Sequence, residues 1–265
     1  MRPVTLITGA SSGIGAELAR VFAEHGHDLA LVARREPELS ALAGAIAAGG
    51  RPRPVVLIAD LGQRDAARRL AAELSARDVE PANVINNAGF GLAGAAAALD
   101  RDEQLAMIDL NVRALTELSL MFVDSLVRHR GGILNVASVA AFLPGPGMAA
   151  YYASKAYVLS FSEALHAELA PRGVRVTALC PGPVATGFQA RAGLRSGGVG
   201  DQAMLALPAR RVAEIGYQGF IRGRRVVIAG AGNRLAVFFT RLMPHALLLP
   251  IVALRMRVAR QAAQL

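Results

Sequence analysis

The chain has 265 residues, a formal net charge of +9, 53% hydrophobic residues and 18% charged residues. This length suits a single α/β domain with a large core, and the composition excludes an extensively disordered chain. The single cysteine, Cys180, excludes an internal disulfide and is read as a small buried apolar residue, and the five histidines have no metal-ligand spacing. We therefore expect a protein of a reducing compartment without a metal site.

Apolar runs of strand length alternate along the chain with longer amphipathic segments. The strand candidates are 4–8, 28–33, 54–59, 83–86, 132–138, 174–180 and 225–230, and the helical segments are 13–25, 37–48, 64–77, 102–128 and 151–170. Strands that are apolar on both faces and separated by helices predict a parallel sheet covered on both sides. The fold class is therefore α/β, a doubly wound sheet that binds ligands beyond the carboxyl ends of its strands. The Gly-rich stretch 191–200 is predicted to be a mobile loop near that edge.

A glycine-rich turn follows the first strand candidate directly. It reads TGASSGIG over residues 8–15, with Gly9, Gly13 and Gly15 leading into a helix. Glycines allow the backbone to turn sharply and to approach a pyrophosphate, whose charge then meets the positive end of the helix. A tight strand-to-helix connection is the alternative, but the position after the first strand favours a dinucleotide site.

The end of the second strand indicates which dinucleotide would bind. Ala33 stands where a ribose-binding carboxylate is expected, and Arg34 and Arg35 follow it. Guanidinium groups can pair with a 2′-phosphate, so the pattern favours NADP(H), with a solvated surface charge as the alternative for Arg35. Asp60, after the third strand, is a candidate partner of the adenine amino group, or else a helix cap.

The stretch YYASK, residues 151–155, contains the only lysine of the chain. Tyr151 and Lys155 are i and i+4 on a helix and project from one face, whereas Tyr152 is turned about 100° away. A phenol is a poor acid–base catalyst at neutral pH, and a neighbouring ammonium is expected to lower its pKa. We therefore predict that Tyr151 and Lys155 act together.

Six ordered motifs resemble the short-chain dehydrogenase/reductase family over roughly residues 4–230. They are TGASSGIG (8–15), NNAG (86–89), Asn111, Ser138, YYASK (151–155) and PGPVAT (181–186). The resemblance implies a Rossmann-type single domain with a seven-stranded parallel sheet. It also implies reversible hydride transfer between a nicotinamide and an alcohol or carbonyl, with NADP(H) as the cofactor and a homodimer or homotetramer as the assembly.

The resemblance assigns roles to particular residues. Tyr151 would be the general acid/base, Lys155 would bind the nicotinamide ribose, Ser138 would hydrogen-bond the substrate oxygen, and Asn111 would support a water-linked proton route from Lys155. A serine that simply ends a strand and an exposed asparagine are the alternatives for Ser138 and Asn111. The cofactor contacts would come from Gly9, Ser11, Ser12, Gly13, Ile14, Gly15, Arg34, Arg35, Asp60, Leu61, Asn87, Ala88, Gly89, Tyr151, Lys155, Pro181, Gly182, Val184 and Thr186.

The C-terminal part of the chain, 233–265, is predicted to be a helical extension of a catalytic domain spanning 1–232. No acidic residue follows Glu214, whereas eight arginines do. They alternate with apolar runs rather than with the mixture typical of a nucleic-acid surface, so no nucleic acid is expected. Two short helices divided near Pro244 would pack over the substrate cleft or a partner subunit, which we favour, or lie on an anionic membrane surface.

The substrate loop and the N-terminus lead to two further expectations. The stretch 187–210 offers few fixed polar groups, so we expect a fairly hydrophobic ketone, aldehyde or secondary alcohol as substrate. The first residues lack the charge and hydropathy pattern of a signal peptide, which predicts a cytoplasmic protein. A non-catalytic dinucleotide-binding regulator or scaffold is the alternative function, although such a protein would normally have lost the Tyr/Lys pair.

Overall fold

A parallel sheet of seven strands forms the centre of the molecule. The computed structural model describes residues 1–184, 192, 206–244, 246–250 and 252–254. The strands are β1 (Arg2–Thr8), β2 (Leu29–Ala33), β3 (Val55–Ile58), β4 (Val79–Asn86), β5 (Gly132–Val136), β6 (Arg175–Cys180) and β7 (Val226–Ile228), in the order β3-β2-β1-β4-β5-β6-β7. All adjacent strands are parallel. The predicted doubly wound sheet is confirmed, and its order reverses between β1 and β4.

Helices cover both faces of this sheet. They are α1 (Gly13–Glu24), α2 (Glu36–Ala48), α3 (Ala66–Ala76), α4 (Arg101–Ile108), α5 (Leu115–Met121), α6 (Val123–Arg128), α7 (Ala149–Leu169), α8 (Ala209–Ile221) and α9 (Ala231–Leu242). The sequence reading did not predict α8, which connects β6 to β7. Residues 246–250 and 252–254 are also helical. The tail is therefore helical on both sides of Pro244, as predicted.

The strands are apolar on both faces because each face meets a separate core. Adjacent residues of β1 illustrate this arrangement: Ile7 packs with α1, α2 and α8, and Leu6 packs with α3, α5, α6 and α7. On the first face Phe22 of α1 meets Tyr217 of α8 edge to face, with ring centroids 4.9 Å apart. Burial of both faces explains why the strand runs lack the polar alternation of a half-exposed sheet.

The predicted helix over 102–128 is divided in the structure. Between α4 and α5, residues Asp109–Ala114 form a π-helical turn, and α5 and α6 are separated at Phe122. Leu105 in α4 is 52% exposed, whereas Leu115 in α5 is buried. The helical period is lost because the wider π turn rotates the faces that precede and follow it. Asp100 caps the start of α4, since its carboxylate accepts a hydrogen bond from the Glu103 amide at 2.8 Å.

A buried polar network ties the two central strands to the helices behind them. Asn86 Nδ2 donates to Ser119 Oγ at 2.9 Å and to Asn135 Oδ1 at 2.8 Å. Asn135 Nδ2 in turn donates to Ser162 Oγ at 2.9 Å, and Ser162 Oγ donates to the Val158 carbonyl at 2.6 Å. These hydrogen bonds give the buried amide N–H groups of Asn86 and Asn135 their acceptors, and through Ser162 they link α7 to β5.

In the part of the chain that the structure describes, no helix is both long and apolar enough to cross a membrane. The same residues contain no cluster of histidine, cysteine and acidic side chains that could hold a metal ion.

We expect Ser162→Ala to lower the free energy of unfolding by about 2 kcal/mol, because it leaves the buried Asn135 amide without its acceptor. Ser160→Ala, two residues away on the exposed side of the same helix, is the matched control and should change the stability by less than about 0.5 kcal/mol. Denaturant unfolding of both variants measures the difference. Equal stabilities would show that the network does not hold α7.

Candidate active site

The glycine-rich turn after β1 is folded tightly against the end of β4. Gly9 has a φ of +65°, a conformation that residues with a side chain rarely adopt. A Cβ atom on Gly15 would lie 2.3 Å from the Gly9 carbonyl oxygen. Side chains at these two positions would therefore push the turn away from the strand.

The start of α1 is available to an anion. Ser12 is the N-cap residue, but its side chain makes no capping hydrogen bond. The first N–H groups of a helix have no intrahelical acceptor. Those at residues 13–15 therefore point outward at the positive end of the helix, next to the exposed Ser12. This arrangement fits a pyrophosphate group.

Thr8 and Asn87 join the turn to the neighbouring strand. Thr8 Oγ1 accepts hydrogen bonds from the amides of Asn87 and Ala88, both at 3.0 Å. Asn87 Nδ2 donates to the carbonyls of Thr8 at 2.9 Å and Gly9 at 3.2 Å. Sequence reasoning named Asn87 and Ala88 but not Thr8, because a threonine that ends a strand has no distinctive signal of its own. These bonds hold together the two strands at which the order of the sheet reverses.

Of the two arginines after β2, Arg35 reaches the glycine-rich turn. Its guanidinium donates to Ser11 Oγ at 3.1 Å and pairs with Glu38 at 3.0 Å. Arg34 is exposed and makes no ion pair or side-chain hydrogen bond within the described residues. Both guanidinium groups follow Ala33, on the side of the crevice where the ribose of the adenosine would lie.

Asp60 and Leu61 follow β3. The Asp60 carboxylate is exposed and accepts a hydrogen bond from the Gly62 amide at 3.0 Å, so it caps a turn rather than a helix. Leu61 is buried in the core on the α3 side of the sheet. Its side chain is therefore part of the core.

Tyr151 and Ser138 form the centre of the candidate site. Ser138 follows β5 at the carboxyl edge of the sheet, where its Oγ also accepts from the Ala140 amide at 3.1 Å. Burial raises the pKa of the Tyr151 phenol to about 12, although a hydrogen bond with the Ser138 side chain lowers it. We predicted that the neighbouring ammonium lowers the pKa of this phenol. For the chain without a ligand this prediction was wrong, because the effect of burial is larger than the stabilisation of the phenolate. The phenol is consequently protonated at neutral pH.

Lys155 lies one helical turn beyond Tyr151 and is buried with it. Its Nζ lies 5.9 Å from the centre of the Tyr151 ring and donates to the Val136 carbonyl at 2.9 Å. Burial lowers the pKa of the ammonium to about 8. The two side chains project from the same face of α7, as their spacing predicted. Gly89 lies next to this ammonium, since a Cβ atom there would be 3.6 Å from Nζ.

Asn111 lies in the π-helical turn and is buried. Its Nδ2 donates to the Phe90 carbonyl at 2.9 Å and to Ser154 Oγ at 3.1 Å, and its Oδ1 accepts from the Phe90 amide at 3.1 Å. The side chain thus clamps the segment after β4 to α7 instead of contacting Lys155. Ser154, which sequence reasoning missed, is the residue through which α7 receives this clamp.

Tyr152 does not share the site of Tyr151. A Cβ atom on Gly145 would lie 2.3 Å from the Tyr152 ring, so this ring covers the loop before α7. The two tyrosine rings meet edge to face, with their centroids 6.1 Å apart. Helix geometry had distinguished the two tyrosines correctly.

The loop after β6 passes over the same edge. The Pro181 carbonyl accepts from the Val139 amide at 2.9 Å, and Val184 is buried against the core. A Cβ atom on Gly182 would lie 2.4 Å from the side chain of Asn233. Asn233 in α9 therefore supports this loop, which the sequence reading of the tail did not indicate. Thr186 lies outside the described residues, as does nearly all of the predicted loop 191–200.

Apolar side chains surround the Tyr151 phenol on its other side. The cluster contains Phe90, Leu92, Met107, Ala140 and Met148, and Val252 of the C-terminal part packs against it. A substrate bound beside the phenol would meet this surface.

The chain is similar in sequence to known proteins. The family description "short chain dehydrogenase" matches residues 3–195. A short chain dehydrogenase of Pseudocercospora fijiensis is 37% identical over 185 residues, which is 68% of this chain and 59% of that protein. Sulfoacetaldehyde reductase 2 of Chromohalobacter salexigens is 37% identical over 206 residues, 77% of this chain and 79% of that protein. The chain thus spans less than two thirds of the first of these relatives.

A solved structure shares the whole architecture. The short-chain dehydrogenase from Sphingobium yanoikuyae, in complex with NADPH, has a TM-score of 0.78 and 33% identity, covering 91% of this chain and 94% of that chain. The doubly wound sheet and the glycine-rich turn after its first strand define a Rossmann-type fold. The chain belongs to the short-chain dehydrogenase family, which confirms the resemblance of its motifs.

We expect the free energy of unfolding of Lys155→Met at pH 7 to exceed that of the wild type by about 1 kcal/mol or more. The reason is that the variant buries an apolar side chain in place of a charged one. Since the folded-state pKa of Lys155 is about 8, below the ordinary value near 10.4, the folded chain releases its proton first. Wild-type stability should therefore rise relative to the variant between about pH 8 and 10.

Denaturant unfolding from pH 7 to 10 measures this difference. A gap between the two proteins that stays constant with pH would contradict the burial of a charged ammonium.

Proposed function

We propose that the protein is an NADP(H)-dependent oxidoreductase that transfers a hydride between the nicotinamide and a carbonyl or secondary alcohol. The observation that carries this proposal is the hydrogen bond between the Tyr151 phenol and the Ser138 side chain, with the Lys155 ammonium buried one helical turn away. All three residues lie at the carboxyl edge of the sheet, where a doubly wound fold binds its ligand.

The residues present fit a dinucleotide. The narrow cradle formed by Gly9 and Gly15 and the free N–H groups at the start of α1 suit the pyrophosphate. Lys155, adjacent to Gly89, is placed to donate to a ribose hydroxyl. The nicotinamide, when bound, supplies or accepts the hydride. The remaining chemistry, binding the substrate oxygen and moving its proton, belongs to the side chains of this chain.

In the reduction direction Tyr151 acts as the acid. Its phenol is protonated at neutral pH because burial raises the pKa to about 12. The substrate oxygen would accept hydrogen bonds from the phenol and from Ser138 Oγ, and the phenol would give up its proton as the oxygen gains negative charge. The nearby ammonium then stabilises the phenolate. Carbonyl reduction is therefore the direction for which the resting protonation state is already correct.

Asn111 acts in this proposal as a positioning residue. It holds the Phe90 backbone and, through Ser154, the turn of α7 that carries Tyr151 and Lys155. The water-linked proton route that the family resemblance assigns to Asn111 remains a proposal, and its side-chain N–H groups are already committed to Phe90 and Ser154.

Two arginines support the choice of NADP(H). Arg34 is exposed without a partner among the described residues, and Arg35 contacts Ser11 in the phosphate turn. A 2′-phosphate placed between them would receive charge-assisted hydrogen bonds, and Ala33 offers no carboxylate to repel it. The NADPH in the Sphingobium yanoikuyae complex supports the same choice.

The substrate side is apolar. Phe90, Leu92, Met148 and Val252 border the Tyr151 phenol, and this surface favours a hydrophobic carbonyl compound through the burial of its apolar area. The relative from Chromohalobacter salexigens is named as an aldehyde reductase, which agrees with the reaction type. The second candidate function is a non-catalytic dinucleotide-binding regulator. It would be favoured if Tyr151 and Lys155 did not support turnover.

We also propose a homodimer or homotetramer in the cytoplasm. Exposed apolar side chains on α4 and α5, among them Leu105, Ile108, Leu120 and Met121, offer a surface that another subunit could cover. The single cysteine fits a reducing compartment. We retain the proposed division into a catalytic domain, 1–232, and an extension, 233–265, although α9 continues across that boundary.

Tyr151→Phe should reduce NADPH-dependent carbonyl turnover by about 10²- to 10⁴-fold, because the acid is removed, and should leave NADPH affinity within about threefold. Tyr152→Phe is the matched control and should keep the wild-type rate. Nicotinamide absorbance with a panel of ketones and aldehydes measures turnover, and fluorescence titration measures binding. Turnover by Tyr151→Phe at the wild-type rate, or none by the wild type, would contradict the proposed role.

Arg34→Ala should weaken NADPH binding by about 10- to 100-fold, the cost of a hydrogen bond to a charged group, and leave NADH binding unchanged. Arg101→Ala, an exposed arginine on α4, is the control and should affect neither cofactor. Fluorescence titrations with both nucleotides decide the matter. An equal loss for NADPH and NADH would mean that Arg34 does not contact the 2′-phosphate.

A further inference from the structure

The helix α9 has an apolar face that the rest of the chain leaves exposed. Leu235, Phe238, Phe239 and Leu242 are 59%, 57%, 56% and 66% exposed. At about 100° per residue, these four side chains lie on one side of the helix. The buried residues of the same helix, Asn233 and Val237, lie on the opposite side. The four apolar side chains are therefore exposed because the opposite side of the helix packs on the protein, and not because the end of the helix is frayed.

The inner side of the C-terminal part belongs to the wall of the candidate active site. α9 packs against the short helical turn Val139–Phe142, which follows Ser138 directly, and the Arg241 guanidinium stacks on the Phe142 ring at 4.8 Å. Val252 packs against the apolar cluster that contains Tyr151. One segment thus contacts the catalytic cluster on one side and exposes large apolar side chains on the other.

The charge of this segment identifies the partner. From residue 231 to 265 the chain contains five arginines and no acidic residue. In α9, Arg234 and Arg241 lie on one flank of the exposed apolar face, about 80° to 100° around the helix from Asn233. Phenylalanine and leucine on one face with arginine beside it is the pattern of a helix that lies in a membrane interface. A second copy would bring two such positive segments together, which electrostatic repulsion disfavours.

We propose that Leu235, Phe238, Phe239 and Leu242, together with the adjacent Arg234, form a docking surface for an anionic lipid bilayer. The apolar side chains insert below the headgroups, and Arg234 attracts anionic lipids. Because the same segment borders the Tyr151 cluster, docking brings the substrate side of the site to the membrane. Resting on the proposed function, the substrate class then becomes carbonyl compounds that partition into lipid.

The first experiment measures binding without relying on activity. The full-length protein should sediment with vesicles that contain phosphatidylglycerol and much less with pure phosphatidylcholine vesicles, and high salt should weaken the association. The double variant Phe238→Ser/Phe239→Ser should lose at least about tenfold in vesicle affinity, because two apolar side chains no longer enter the interface. A second pair, Leu235→Ser/Leu242→Ser, guards against a local folding defect in the first.

Ile221→Ser is the control, since Ile221 is an exposed apolar residue at the end of α8, away from α9, and it should bind vesicles like the wild type. Equal sedimentation of all variants, or no sedimentation of the wild type, would overturn the docking surface. It would also be overturned if the wild type were dimeric by light scattering and the Phe238/Phe239 variant monomeric, with no vesicle binding by either. The occupant would then be a second copy.

The second experiment tests the substrate class. With NADPH, phosphatidylglycerol vesicles should increase the reduction of dodecanal by the wild type and not by Phe238→Ser/Phe239→Ser, while the reduction of water-soluble propanal should be the same with and without vesicles. Vesicle binding without an advantage for dodecanal would overturn the delivery of substrate from the bilayer. Binding without turnover of either aldehyde would refute the proposed function and leave the docking surface intact.

Discussion

The buried ammonium of Lys155 is the group on which the candidate site depends. Among the described residues, the Lys155 ammonium has the Val136 carbonyl as its hydrogen-bond acceptor and no carboxylate in an ion pair with it. A charge placed in this way in the interior is costly. This free-energy cost is offset if a ligand hydroxyl or a developing negative charge interacts with the ammonium. A ribose hydroxyl and the phenolate of Tyr151 are such partners. The strand that supplies the Val136 carbonyl also leads to Ser138, so a single strand end positions the ammonium and the Ser138 hydroxyl together.

The phosphate-binding part and the chemical part of the site are linked by the segment after β4. Asn87 and Ala88 hold the glycine-rich turn through Thr8, and two residues later Phe90 is clamped by Asn111. Asn111 also reaches α7 through Ser154. Hydrogen bonds of one short segment therefore fix the glycine-rich turn before α1 relative to Tyr151 on α7. The π-helical turn that presents Asn111 departs from regular geometry where this contact is made, as such turns often do at functional sites.

The sequence predicted the strands and helices whose apolar residues recur at a regular spacing. It also predicted the site residues that lie at a fixed spacing from one another, such as Tyr151 and Lys155. The buried strands were visible because both of their faces are apolar, and Tyr151 was separated from Tyr152 because an i, i+4 relation fixes a face. Helix α8 was missed. The single helix predicted over 102–128 was wrong, because a π turn interrupts it without a local signature in the sequence. The pKa of Tyr151 was also mispredicted, since sequence spacing reveals its charged neighbour but not its burial. Thr8, Ser154 and Asn233 act through contacts with distant segments, which no local pattern encodes.

The C-terminal part illustrates why a sequence can leave two interpretations open. Burial in the protein and contact with a bilayer were competing explanations for a tail of apolar runs and arginines. In the structure the two faces of α9 separate these roles, because Asn233 and Val237 are buried while Phe238 and Leu242 are exposed. Hydrophobic composition alone cannot distinguish a helix with one apolar face, packed on the protein, from a helix with a second apolar face that the protein leaves exposed. The distribution of charge adds a separate argument, since arginines without acidic residues are attracted to an anionic surface.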